Sequence, residues 1–176
     1  MKKFTTVLFL IISFSAFSQT FPTLNCETLN NKKINIPDDV KGKKTVVAIA
    51  MSSKAEKQLK AWNIPLYNSL IADGLGGLMG GRMYDANLCF VGMIKGIAKL
   101  AKGEIMERSR KNIDKKLHDN FMITEQEVAD FTKAADIKDK NEPQFFVLDK
   151  DGKIIYHTAG EYSDKKLNEL TEKLMY

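Results

Sequence analysis

Cysteine is scarce in this chain: 176 residues carry two, Cys26 and Cys89. That excludes a disulfide framework and leaves one Cys26–Cys89 bridge open, because sequence alone does not show how near their Cα atoms lie. His118 and His157 are the two histidines, far apart and without Cys or carboxylate neighbours at ligand spacing. No metal site and no cofactor is therefore expected. An excess of one charge is also missing, with 27 basic against 22 acidic residues. The balance is too mild to argue for a nucleic-acid partner. Nor is there an apolar run long enough for a comfortable membrane span.

The beginning of the chain carries the first positive signal. Lys2-Lys3, the apolar run Val7–Ile12 and the small residues of Ala16-Phe17-Ser18 have the pattern of a signal peptide. Residues 1–18 are read as that leader, cut near Ser18–Gln19, and the chain as exported to the periplasm or cell envelope. An uncleaved anchor is the other reading of this run. Thr23-Leu24-Asn25 before Cys26 is a poor lipobox. Residues 19–43 are expected to form an extended arm or a hairpin around Asn30-Asn31-Lys32-Lys33, and residues 44–176 the main domain.

In that domain Thr45–Met51 is a continuous apolar, β-branched run, the pattern of a central strand buried on both faces. Ser52-Ser53 offer capping hydroxyls to a helix over Ala55–Leu70, which Pro65 should kink. The glycine-rich stretch Gly74–Gly81 follows a helix and leads to a strand, the reverse of a phosphate-binding loop, so it is read as a connector. Asn87–Met93 is the next strand. Ile94–Lys116 reads as one long helix with Ile94, Ile97, Ala98, Ala101 and Ile105 on a stripe, carrying eight Lys or Arg and three Asp or Glu from Lys95 onward. Phe121–Ile123 is a short strand, and Thr124 in a Thr-Glu-Gln-Glu context should cap a helix over Glu125–Ala135. Glu142-Pro143 leads into the strand Gln144–Leu148, the turn Asp149–Gly152 and a second strand from Ile154. Ser163-Asp164 then cap a last helix bearing Leu167, Leu170 and Leu174. Such an order implies a mixed sheet covered by helices.

The closing stretch, Glu142-Pro143 with its hairpin and terminal helix, resembles the second half of a thioredoxin-like domain of the exported thiol-disulfide interchange and alkyl-hydroperoxide-reductase kind. The resemblance covers Phe21–Tyr176. It implies an α/β, thioredoxin-like fold: a central mixed β-sheet flanked by helices, with a helix and strand inserted before the strand that a cis-proline, here Pro143, precedes.

The resemblance also says where a redox dithiol should stand, at the start of the helix after the first core strand, where the helix terminus lowers a thiol pKa. Two registers place it at Lys54–Lys57 or at Lys57–Lys60, and neither holds a cysteine. A peroxidatic Pro-x-x-x-Thr/Ser-x-x-Cys is missing as well. Ser52, Ser53, Lys54, Lys57 and Lys60 are therefore a degenerate active-site position, with Glu142 and Pro143 as the loop facing it. The serines are read as caps, because a serine nucleophile needs an adjacent base.

A non-catalytic role follows as the expectation: binding, chaperoning or assembling an envelope protein or peptide, for which the mitochondrial ATP-synthase assembly-factor group is a precedent of similar fold. The expected surface joins Ser52-Ser53, Glu142-Pro143, the Gly74–Gly81 loop and the basic helix. An alternative is a single-cysteine thiol reductase or peroxidase, using Cys89, read as a core thiol, or Cys26, read as exposed. A further alternative is a protein that binds an anionic membrane surface through the basic helix 95–116 and the loop Leu75–Met79.

Overall fold

The computed structural model describes residues 19–72 and 84–175. The expected leader, the expected Gly74–Gly81 connector and Leu75–Met79 within it lie outside these residues. Seven strands form one mixed sheet in the order β2-β1-β5-β4-β3-β6-β7. They are β1 (Leu24–Thr28), β2 (Lys33–Ile36), β3 (Lys44–Ala50), β4 (Ala86–Met93), β5 (Phe121–Thr124), β6 (Gln144–Leu148) and β7 (Ile154–Ala159). Strands β3, β4 and β5 run parallel, while β6 is antiparallel to β3 and β7 to β6. The β1–β2 hairpin turns at Asn31, whose φ of 62° is one that asparagine tolerates better than most residues. It joins the same sheet by antiparallel pairing of β1 with β5.

Strand β3 shows why the sheet needs cover on both sides. Val46, Ala48 and Ala50 point to one face and Val47 and Ile49 to the other, and all five are buried. The first face is covered by α1 (Ser53–Leu70), through Ala55, Leu59, Trp62, Leu66 and Leu70, and by Leu170 of α4 (Asp164–Met175). The second face carries Phe21 and, from α3 (Val128–Ala134), Val128 and Phe131. Helix α2 (Lys102–Asn112) sets Met106 against Leu29 and Ile123. At the end of the chain Ser163 Oγ accepts from the Lys166 N–H at 3.3 Å, as expected of a cap.

Several sequence expectations are corrected. The helix expected over Ile94–Lys116 is three pieces: a 3₁₀ turn at Gly96–Lys99, α2, and a second 3₁₀ turn at Lys115–Leu117. Lys95 is extended and Gly96 takes φ +55°, so a continuous helix is broken at its start. The expected stripe dissolves with it. Ile94 and Ile105 pack inward, whereas Ile97 and Leu100 are 85% and 90% exposed.

Thr124 closes β5 instead of capping a helix at Glu125. Its hydroxyl accepts from the Gln126 N–H at 3.2 Å, and α3 begins only at Val128. Helix α1 continues through Pro65. The Glu142–Pro143 bond is trans: the cis bond among the described residues is Ile36–Pro37.

Candidate functional site

The register brings the Ser52-Ser53 and Glu142-Pro143 segments and the start of the basic segment to one edge of the sheet, while the Gly74–Gly81 part of the expected surface lies outside the described residues. Ala50 of β3 faces Gly92 of β4, and Met93 faces Thr124 of β5, so the three parallel strands end together. Strand β6 begins at that edge, with Gln144 beside Ile49, and β7 ends there, with Ala159 beside Gln144. Five segments therefore leave the sheet side by side: Ser52–Lys54, Ile94–Leu100, Glu125–Glu127, Glu142–Pro143 and Gly160–Glu161. The carboxyl ends of parallel strands are where open α/β sheets bind their ligands.

Ser52 has the extended backbone of an N-cap, and its Oγ accepts from the Ala55 N–H at 3.2 Å. Ser53 is exposed in the first turn. Neither histidine serves them as a base. His118 is buried and its Nε2 lies 2.9 Å from the Ile113 carbonyl. His157 stacks on Phe146, with its Nε2 2.9 Å from Gln144 Oε1. Burial holds the His157 imidazole below its ordinary pKa, outweighing the nearby Asp136. Lys54, Lys57 and Lys60 are exposed along the first two turns of α1.

The Pro143 segment is closed. The Pro143 carbonyl accepts from the Gly160 N–H at 3.0 Å. Gln144, 2% exposed, donates through Nε2 to the carbonyls of Asp139 at 2.9 Å and Glu142 at 3.0 Å. Its Oε1 meets the His157 ring. Trp62 Nε1–H donates to the Gly160 carbonyl at 3.1 Å from beneath, its ring centroid 4.1 Å from that of Phe145. The main-chain carbonyls that border this proline are thus satisfied within the molecule. A groove of free main-chain carbonyls able to hold a peptide strand is therefore not formed there.

Both cysteines sit elsewhere, on the face covered by α3. Cys26 and Cys89 are free and buried, and burial pushes each thiol up to about 12, with Cys89 adding to the shift of Cys26. The exposed Cys26 of the sequence reading is corrected: alternation along β1 turns Leu24, Cys26 and Thr28 inward. A thiol in that state is a poor nucleophile.

Four of the eight basic residues of this segment are engaged. Lys102 lies 2.8 Å from Glu27 and 2.9 Å from Glu125, and Lys99 is 2.5 Å from Glu127. Arg110 donates to the Leu29 carbonyl at 2.6 Å and to Asn31 Oδ1 at 2.5 Å. Lys116 is 3.6 Å from Asp114 and stands 4.9 Å above the Tyr67 ring. These contacts tie α2 to β1 and β5. Between them lies an open groove of about 510 Å³ lined by Glu27, Asn31, Lys102, Met106, Glu107 and Arg110. No group of three or more potential metal ligands occurs among the described residues.

A family model described as the ATP10 protein matches residues 15–174. The chain belongs to the ATP10 family. Three solved structures similar to this ATP10-family chain share its thioredoxin-like fold. The exposed lipoprotein thioredoxin Etrx1 of Streptococcus pneumoniae is 16% identical, with TM-score 0.54 over 86% of this chain and 99% of its own. StoA of Bacillus subtilis is 18% identical, with TM-score 0.52 over 86% and 97%. Yeast Sco1 with copper bound is 11% identical, with TM-score 0.56 over 90% and 93%. The comparison with curated proteins found no match.

Sequence reasoning missed Gln144, Trp62 and Lys102. The first had a signal: a lone amide opening an otherwise apolar strand needs partners when buried.

Proposed function

We propose that this ATP10-family chain is a non-catalytic binding protein that assists assembly of another envelope protein, and that it is exported by its first 18 residues. The observation that carries the reading is the start of α1. Where the resemblance places a dithiol, at Lys54–Lys57 or Lys57–Lys60, this chain has no cysteine, while both of its thiols are buried away from that edge. The family match, with the precedent of the ATP-synthase assembly-factor group, supports assembly as the task. The same burial speaks against a single-cysteine reductase or peroxidase.

The test is turnover of disulfide and peroxide substrates by the protein beside a Cys26→Ser/Cys89→Ser variant. Equal, background-level rates are expected. Turnover that vanishes with either cysteine would sink the reading. N-terminal sequencing of the secreted form checks the cut near Ser18–Gln19.

A further inference from the structure

Two large aliphatic side chains stand in water on the turn Gly96–Leu100: Ile97 is 85% and Leu100 90% exposed. The turn beneath them is fixed. Lys99 is paired with Glu127, and Lys102 with Glu27 and Glu125, so ion pairs tie the turn and the start of α2 to the body of the protein.

The same segment carries a hollow of about 340 Å³, lined by Ala98, Ala101, Glu104, Ile105 and Arg108. Two of its walls are alanines, which leave the space that larger side chains would fill. Ile97 directly precedes Ala98, and Leu100 directly precedes Ala101, so each protruding residue is followed by a small one at the wall of the hollow. Ala98, Ala101 and Ile105 are only partly buried.

The free charges of this segment balance. Between Lys95 and Arg108, Lys99 and Lys102 are taken by the ion pairs above. The others are Lys95 and Arg108 against Glu104 and Glu107, all exposed and without a hydrogen-bond or ion-pair partner among the described residues. A neutral rim gives no preference for an anionic surface. A tip and a hollow on one segment fit a second copy of the chain, because a two-fold interface matches each feature with its complement twice. Mutual seating of residues 97–100 on residues 101–105 requires the two segments to run antiparallel. It carries Lys95 of each copy towards Glu104 of the other, which sets opposite charges together at both ends.

We propose that the chain forms a two-fold dimer through this surface, with Ile97 and Leu100 of each copy in the hollow of the other and Lys95 against Glu104. The contact is small, so the dimer belongs to the weak class of interfaces and monomers prevail in dilute solution. The inference goes beyond the assembly role, and its test is separate from the thiol assays.

The experiment is sedimentation equilibrium of the full chain from about 1 μM to 1 mM, where a monomer–dimer equilibrium is expected. The Ile97→Ser/Leu100→Ser variant should raise the dissociation constant at least about tenfold. Ala101→Leu adds apolar surface but fills the hollow, and should raise it as well, whereas unspecific apolar association would tighten. Lys95→Glu and Glu104→Lys should each weaken the dimer by about fivefold, and an equimolar mixture of the two should regain the wild-type affinity as a heterodimer. All variants keep the same leader, so differences between them report this surface. The proposal is overturned if the wild type stays monomeric throughout that range, if Ala101→Leu tightens association, or if the charge-reversed mixture associates no better than its components.

Discussion

Two segments leave the same edge of the sheet and treat it in opposite ways. At Glu142–Pro143 each neighbouring carbonyl described above has a donor, supplied by Gln144, Gly160 or Trp62. At Gly96–Leu100 the backbone is pinned by ion pairs while its apolar side chains face water. A thioredoxin-like sheet ends in the same geometry at both places, so topology alone does not make a binding site. What decides is whether the chain spends its polar and apolar groups inward or leaves them outward. Here the Glu142–Pro143 side is turned inward, and the Gly96–Leu100 side beside it is left open.

The contrast can be broken first at its closed side. Trp62→Ala removes a fully buried ring and its bond to the Gly160 carbonyl. It should cost about 4 kcal/mol in denaturant unfolding. A smaller loss, of about 3 kcal/mol, is expected for Gln144→Ala, which orphans the carbonyls of Asp139 and Glu142 and the His157 ring. Amide exchange should then rise locally at residues 141–144, and a loss spread evenly over the sheet would show that Gln144 acts on packing in general.

His157 gives the same side a pH signature. Its pKa is depressed in the fold, so the unfolded chain binds the proton more readily. The stability it contributes is present above the free imidazole pKa of about 6.5 and is lost as pH falls below it. Unfolding midpoints measured across pH 5–8 should show that decline in wild type and little of it in His157→Phe. On the open side the opposite is expected. Ile97→Ser/Leu100→Ser should change stability by less than about 0.5 kcal/mol, because both side chains are already in water. A larger loss would mean that the turn is packed in solution and would remove the contrast.

Much of the fold can be read from local pattern. The apolar run of β3, the Ser52 cap of α1, the Asp149–Gly152 turn and the Ser163 cap each carry their instructions within a few residues. The missed features depend on distant partners. Cys26 is buried because β1 pairs with β5, almost a hundred residues later. Helix α2 starts where Lys102 finds Glu27 and Glu125, and Ile97 falls outside it because Gly96 takes a left-handed backbone. A helical period drawn through 94–116 has no means of registering either. The absence of cysteine at the start of α1 is legible in the sequence itself. The closure around Pro143 is not, because it depends on where the Gln144 amide and Trp62 indole point.

The placement of the two sulfurs has a consequence for any client this protein handles. With thiol pKa values of about 12, fewer than roughly one thiol in ten thousand is ionised near neutral pH, and burial hides the rest. On the proposed binding role, a cysteine-bearing client would meet no exposed sulfur here, and a grip on it could be released without a covalent trap.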